Sequence, residues 1–442
     1  MTAAHVAGVD LGTTSVKAGL YTVDGELISS QRWLLTTTHG DDGSATQDPA
    51  QWVDGVRRWL SQQPRLIGWS VGGQMNTYTL ADERGRILTG AITWQDRRRA
   101  AALDADEPFT SAIGRALLFQ EISAQAWNAA RWMLLPKDAL MLASAGAPRG
   151  DAQSWNGVLQ EGKKLVVNGS ARAIIGNRVP PLGSPGDIVE SPYGPAALGC
   201  PDTIASVLGC GLEDAAAYSI SGTSESIVVH SAMKTPSAGI RNSVPIDKGW
   251  LHVGPSSVGG VTLEWAAGLL SDGDVGRLVA LAARVTPGRR TLLFAPYLAG
   301  ERAPLWDPSL TGSWRGLRVS HTAADLAAAV LEGVSFSVRH AIDRAQLSAG
   351  QGIERIIGQG GILHNGTAAQ LRADALERPL EIVTGADTTI RGAAAIAMSA
   401  ATGESLQEST RRFAATPHTV EPRPNDYVST RYEAWLELAA AG

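Results

Sequence analysis

Apolar and polar positions along the first hundred residues follow two different rhythms. Residues 6–9 form a short apolar run and residues 16–22 a second, with Gly12-Thr13-Thr14 between them (residues 6–17 read VAGVDLGTTSVK). Short apolar runs bounded by a glycine turn predict two β-strands in a hairpin. Asp24-Gly25 is a two-residue hairpin signal, which predicts a third strand over 26–31. The rhythm then changes. Trp52, Val53, Val56, Trp59 and Leu60 recur at helical spacing. In front of them Asp48 is expected as the N-cap, Pro49 at the first helical position and Gln51 at the capping-box position. Residues 66–71 and 91–94 read as further strands, closing on Gly72-Gly73-Gln74-Met75-Asn76 and on Gln95-Asp96-Arg97-Arg98. Strands alternating with helices predict an α/β class.

Residues 144–200 break this regularity and are rich in Gly, Pro, Ser and Asn, as expected of a lobe-to-lobe linker or a substrate-loop region. Past Pro201 the alternation resumes with a helix over 203–208. A second strand–turn–strand unit follows at 218–229, YSISGTSESIVV, with Gly222-Thr223-Ser224 in the turn. Leu326, Val330, Leu331, Val334, Phe336 and Val338 predict one long helix over 323–348. A strand over 355–358, a helix over 367–377 and a strand over 378–383 come next. The alanine-rich stretch 392–401 predicts a buried helix packed closely through small side chains, and 423–441 a surface helix. The repeated strand–Gly-Thr–strand unit predicts a duplicated fold.

At 442 residues the chain exceeds one ordinary core and is expected to form two domains or lobes. Its 44% apolar content is that of an ordinary globular protein, and a net charge of -5 gives no footing for non-specific nucleic-acid binding or an anionic membrane surface. No apolar run is long enough to span a bilayer. Met1 leads almost directly into the first strand, without a basic and then apolar leader, so a cytoplasmic protein is expected. Cys200 and Cys210 are expected as two isolated buried thiols.

Three turns carry the candidate chemistry. A hairpin turn of glycine and hydroxyl residues can aim backbone N–H and side-chain O–H groups at a phosphate, and Gly12-Thr13-Thr14 and Gly222-Thr223-Ser224 both have that composition. Asp10, directly before the first turn, can hold Mg²⁺ beside such a phosphate, or it can simply cap its own turn. The third turn is Gly358-x-Gly360-Gly361-x-x-x-Asn365, followed by Gln370 and Asp374. Its glycines let the backbone approach a base or ribose, or serve only a tight strand-to-helix connection. Asp202, opening the helix after Cys200-Pro201, is placed either to accept a proton in phosphoryl transfer or to cap that helix; on spacing alone the cap is favoured. No G-x-G-x-x-G follows the first strand, which disfavours a dinucleotide-binding dehydrogenase. Gly157-x-x-x-x-Gly162-Lys163 approaches a P-loop, but Lys164 stands where Ser or Thr would bind Mg²⁺.

Taken together, the motifs resemble the FGGY family of carbohydrate kinases, most closely its xylulokinase branch, over nearly the whole chain. VDLGTTSVK is similar to the family's first phosphate motif, the DPxxW core at 48–52 to its first helix start, and ISGTS at 220–224 to its second phosphate motif. LLPKDAL at 134–140, YLAGERAP at 297–304, the segment 312–332 and GQGGILHN at 358–365 add further ordered matches. The resemblance implies a duplicated two-lobed actin-like ATPase (ribonuclease H-like) α/β fold with the active site in the interlobe cleft. The expected lobes are 1–197, with the sugar side and first phosphate motif, and 198–442, with the base and the second phosphate and adenosine motifs. It implies ATP and Mg²⁺ as cofactors, Asp10 at the metal and Asp202 as the base. Nucleotide contacts are expected from Gly12, Thr13, Thr14, Lys17, Gly222, Thr223, Ser224, Gly260, Glu264, Gly360, Gly361 and Asn365, and sugar contacts from Gln74, Met75, Asn76, Asp96 and Asp202. The expected partners are a small sugar and, in a homodimer, a second copy of the chain. The sequence departs from the branch at Asn76, where xylulokinases usually carry a sugar-contacting His, and Met75-Asn76 replaces the Arg-Glu pair of glycerol kinases. The Lys-x-Trp helix expected before LLPKD is not recognisable, and the loop over 151–195 is trimmed. The implied activity is transfer of the γ-phosphate of ATP to a pentulose such as D-xylulose. The alternatives are another ketose, a polyol or a sugar acid, or an actin-like ATPase or non-catalytic sugar sensor.

Overall fold

The segments rich in Val, Ala and Gly become the inner strands of two sheets, each in its own compact unit. A computed structural model describes residues 4–441 apart from 106, 147, 161–164, 234–238, 241, 287–290, 385 and 386, so the near-P-loop at Gly162-Lys163 lies outside the described residues. The first unit comprises Met1–Leu212 and Asp387–Ala415, the second Glu213–Ala386 and Thr416–Gly442.

The first unit's main sheet has six strands in the order Ile188–Val189, Ala196–Pro201, Gly68–Gly73, His5–Leu11, Ser15–Thr22 and Leu27–Leu34. Its last three strands form the antiparallel meander expected from the two hairpin turns, and 68–73 and 196–201 add in parallel. The second unit repeats the plan. Gly249–Pro255, Glu225–Ser231 and Ala216–Ser221 form the meander, and Arg355–Gln359 and Leu380–Ile382 add in parallel. Asn242–Ile246 and His418–Val420 complete a seven-stranded sheet. Strands buried on both faces read as near-continuous apolar runs, which is why the run at 6–9 and the unit beginning at 218 were legible within strands His5–Leu11 and Ala216–Ser221.

The units do not divide at 197/198 as the sequence suggested. Strand Ala196–Pro201 is hydrogen-bonded beside 68–73, so the chain through Leu212, including Asp202, stays in the first unit. The chain also returns there late. Helix Thr388–Thr402 approaches so closely that a Cβ on Gly8 would lie 1.9 Å from the Ile390 carbonyl oxygen, and one on Gly392 1.8 Å from that of Ala205. Residues 392–401 are thus the close-packed small-residue helix expected, and its glycine contacts bind it into the first unit's core.

Smaller departures have local causes. The first helix is Ala50–Ser61, with Pro49 at the N-cap and no side-chain cap. Asp48 accepts from the Ala50 amide at 3.0 Å, and Gln51 is drawn away to the Thr36 amide at 2.8 Å, so no capping box forms. The last helix is Val428–Ala441, because Pro422 and Pro424 keep the preceding residues extended. It is not merely a surface helix: Val428, Tyr432 and Trp435 are buried beside Phe336. The strand expected over 91–94 is cut to Ala91–Ile92, and 144–200 holds a helix at Gly169–Ile175 and several two-residue strands. Cys200 and Cys210 are free and buried. Among the described residues no helix is long and apolar enough to cross a membrane.

Candidate active site

Register brings the first unit's candidate residues together. Leu11 and Pro201 both pair with Gly73 across parallel strands, so Gly12, Gln74 and Asp202 leave the same end of the sheet side by side. That carboxyl end is where open α/β sheets place ligand-binding loops. Gly12 closes the first turn through its amide to the Ser15 carbonyl at 3.2 Å, leaving Thr14 exposed and Thr13 half-buried. Gln74 is buried and braces that turn: its side-chain amide donates to the Gly12 carbonyl at 3.2 Å and its oxygen accepts from the Thr13 hydroxyl at 3.4 Å and the Thr77 hydroxyl at 3.1 Å. Gln47 donates to the Thr13 carbonyl at 2.7 Å, and the half-exposed Trp94 donates its indole N–H to the Thr13 hydroxyl at 2.9 Å. Met75 and Asn76 follow half-buried, with Asn76 at φ 57, a left-handed conformation that Asn tolerates.

Asp96, expected against the sugar, is fully buried with all four lone-pair directions taken by protein donors: the Ala45 amide, and the amide, Nε and Nη2 of Arg98. Burial alone would raise its pKa; the Arg98 hydrogen bonds hold it below the usual carboxylate range. As placed it organises the 93–98 turn and has no oxygen left for a hydroxyl.

Two carboxylates remain available. Asp10 is buried at 6% exposure; its Oδ1 accepts from no donor among the described residues, and its Oδ2 stands 3.8 Å from the Lys17 ammonium. Burial, then the nearby Asp387 and Asp202 carboxylates, push its pKa up to about 8. A buried anionic oxygen without a donor is costly unless a cation meets it. Among the described residues no three or more His, Cys, Asp or Glu side chains group to cage a metal. The donor set therefore fits Mg²⁺ carried on substrate phosphates, which takes one or two protein carboxylates, better than a protein-caged ion. Lys17 is mainly committed to Asp387, at 2.6 Å, which also caps helix Thr388–Thr402. Asp202 is the first residue of helix Asp202–Leu208, and it does not cap it. Its Oδ1 accepts from the Thr203 amide at 2.6 Å, and burial raises its pKa while Thr203 and the Lys137 ammonium oppose the rise. A carboxylate whose pKa is raised is more basic than an ordinary one and so better suited to accept a proton.

In the second unit Gly222 and Thr223 are exposed, and the Gly222 amide closes the turn on the Ser224 carbonyl at 2.9 Å. The amides of Gly260 and Val261, opening helix Gly260–Leu270, donate to the carbonyls of Gly222 and Thr223 at 2.9 Å each, while Glu264 is exposed one turn on. Gly360 needs its glycine twice over: φ is 125, and a Cβ would lie 1.9 Å from the Ser221 carbonyl oxygen. The third turn is thus packed against the second, and Gly361 beside it is exposed with open space at its Cβ position. Asn365 caps helix Gly366–Leu376, its oxygen accepting from the Thr367 and Ala368 amides. Gln370 and Asp374 are spent on the Glu421 carbonyl and on Arg423.

Sequence reasoning missed Gln47, Asp387 and the buried pair Lys137–Asp151 (3.2 Å), since their partners are distant in the chain. The one available signal was Lys137 and Asp151 as charged residues within apolar or small-residue surroundings.

This paired architecture is one that comparison recognises. Residues 5–107 match the N-terminal domain and residues 217–401 the C-terminal domain of the FGGY family of carbohydrate kinases. The chain belongs to that family, and its fold is the family's two-unit, actin-like ATPase α/β fold. It is 27% identical over 441 residues to a xylulose kinase of Escherichia coli (strain K12), covering 90% of each chain. It is also 25% identical over 446 residues to a gluconokinase of Bacillus subtilis (strain 168), covering 88% of this chain and 86% of that one. Among solved structures, a xylulose kinase from Rhodospirillum rubrum superposes with a TM-score of 0.87 at 22% identity, covering 99% of this chain and 98% of that one.

Proposed function

We propose that the chain is an ATP-dependent kinase that transfers the γ-phosphate to a hydroxyl of a small carbohydrate, a pentulose such as D-xylulose. The observation that carries this reading is the shared register of Leu11, Gly73 and Pro201, which sets a phosphate-type turn, a buried cation-seeking carboxylate and a raised-pKa carboxylate at one sheet end. Each hydroxyl turn is read as a phosphate turn, with Asp10 toward Mg²⁺, which would neutralise charge developing on the transferred group. Asp202 accepts the proton of the attacking hydroxyl as the O–P bond forms. Met75, Asn76 and Trp94 offer the sugar its contacts, while Gln74 holds the turn beside them.

A sugar acid such as gluconate is the second reading, favoured by the gluconokinase relative and by Asn76, where the resemblance to the xylulokinase branch implies a His. Incubation with MgATP and a panel of pentuloses, hexuloses, polyols and aldonates, read by ³¹P NMR for a new phosphate monoester, tests both. A phosphomonoester on a pentulose alone supports the first reading, and one on an aldonate alone replaces it with the second. ATP bound with no acceptor phosphorylated would contradict the kinase reading.

A further inference from the structure

The exposed Arg302 stands at the second hydroxyl turn with most of its donors unspent. Its Nη2 donates to the Ser256 carbonyl and, at 3.4 Å, to the Ser224 hydroxyl. Among the described residues the remaining guanidinium N–H groups have no hydrogen-bond acceptor, and the neighbouring Glu301 carboxylate acts on the charge without a direct ion pair. This arginine is nonetheless not a loose surface side chain. Glu301, buried at 3% exposure, accepts from the Arg302 amide and the Ser257 amide at 2.6 Å each through Oε1, and from the Ser256 hydroxyl at 2.8 Å through Oε2. Residues 301 and 307 pair through two backbone hydrogen bonds of 2.9 Å, which closes a tight loop with Arg302 at its mouth. The 256–260 segment that Glu301 braces is in turn laced to the turn: the Ser256 amide donates to the Glu225 carbonyl at 2.8 Å, and the Glu225 amide to the Val258 carbonyl at 2.7 Å.

We propose that Arg302 is a phosphate-contacting residue of the nucleotide site, with Glu301 as its positioning residue. The proposal rests on the reading of the second turn as a phosphate turn. Ordering a rotamer-rich guanidinium costs side-chain entropy, and a side chain already held by the fold does not pay that cost again when a phosphate binds. The Nε and Nη1 groups that remain can each donate to a phosphate oxygen from a fixed plane, in a way the point charge of a lysine does not. The exposed Gly222 and Thr223 leave the turn open beside it.

Isothermal titration of wild type, Arg302→Gln, Arg302→Lys and Glu301→Gln with MgATP, MgADP and adenosine tests this. Arg302→Gln is expected to weaken MgATP roughly 10- to 100-fold and leave adenosine unchanged, as loss of one charge-assisted contact should. Arg302→Lys should recover part of that loss, and Glu301→Gln should reproduce it more weakly. Equal weakening of all three ligands, or no weakening of MgATP, would overturn the proposal. Wild type that binds none of the three would instead overturn the kinase reading, and the assignment of Arg302 with it.

Discussion

The two hydroxyl turns share one backbone plan and have opposite electrostatics. In the first unit, the buried Asp10 has an oxygen with no donor and a pKa pushed up to about 8. In the second, the buried carboxylate is Glu225, at the position Ser15 occupies in the first turn, and it is saturated. Ser219 and Ser221 donate to it, and Arg372 pairs with it at 3.0 Å. A buried charge is tolerated only when paired, so Glu225 with Arg372 is scaffold that fixes the turn's shape, whereas Asp10 keeps an oxygen without a donor and holds a proton at neutral pH when no cation is present. The turn's shape recurs in both units, but Ile220 stands in the second where Asp10 stands in the first. Asp202 lies in that same unit, so both carboxylates given a role in the proposed chemistry belong to the first unit.

The largest effect should come from Asp202→Asn. Removing a positioned base is expected to lower kcat about 10²- to 10⁴-fold, with MgATP affinity kept. Steady-state ADP release and nucleotide titration check it, and normal turnover would move the base elsewhere. Arg372→Met leaves Glu225 buried without its cation, and should cost about 3–5 kcal/mol of unfolding free energy by denaturant titration. A loss below about 1 kcal/mol would mean Glu225 is not held as described. Next, Gly360→Ala forces a Cβ against the Ser221 carbonyl at a left-handed φ and should cost about 3 kcal/mol, whereas Gly361→Ala, with open space, should stay within about 0.5 kcal/mol. Equal costs would dissolve the packing of third turn on second.

A pH slope sharpens the comparison further. With Asp10 raised from an ordinary carboxylate to about 8, the folded protein holds a proton there that the unfolded chain has released. Stability in metal-free buffer should therefore fall as pH rises from about 4 to 8, by at most about 1.4 kcal/mol per pH unit, and level off above. Asp10→Asn should remove that slope, and no change in slope would show Asp10 already charged at neutral pH.

The sequence made the strands and turns legible because buried strands and glycine turns are local signals. Gly12, Gly222 and Gly360 could be picked out from composition alone. Which carboxylates are free was not legible. Asp96 and Asp10 look equally available in the chain, yet Arg98 and the Ala45 amide fill one while the other keeps an empty oxygen. Nor could the unit boundary be read at 197, since it depends on strand 196–201 pairing with 68–73 and on glycine contacts made by a helix nearly two hundred residues later. Helix ends failed where a side chain such as Gln51 had a distant partner.

The most direct test sets Asp10→Asn beside Glu225→Gln, measuring MgATP-dependent turnover per folded molecule together with unfolding free energy. The account predicts that Asp10→Asn folds at least as well as wild type at pH 8 without metal and loses most of its turnover. Glu225→Gln should lose stability and keep its turnover per folded molecule within about ten-fold. The reverse pattern, a silent Glu225→Gln variant beside an active Asp10→Asn, would contradict it.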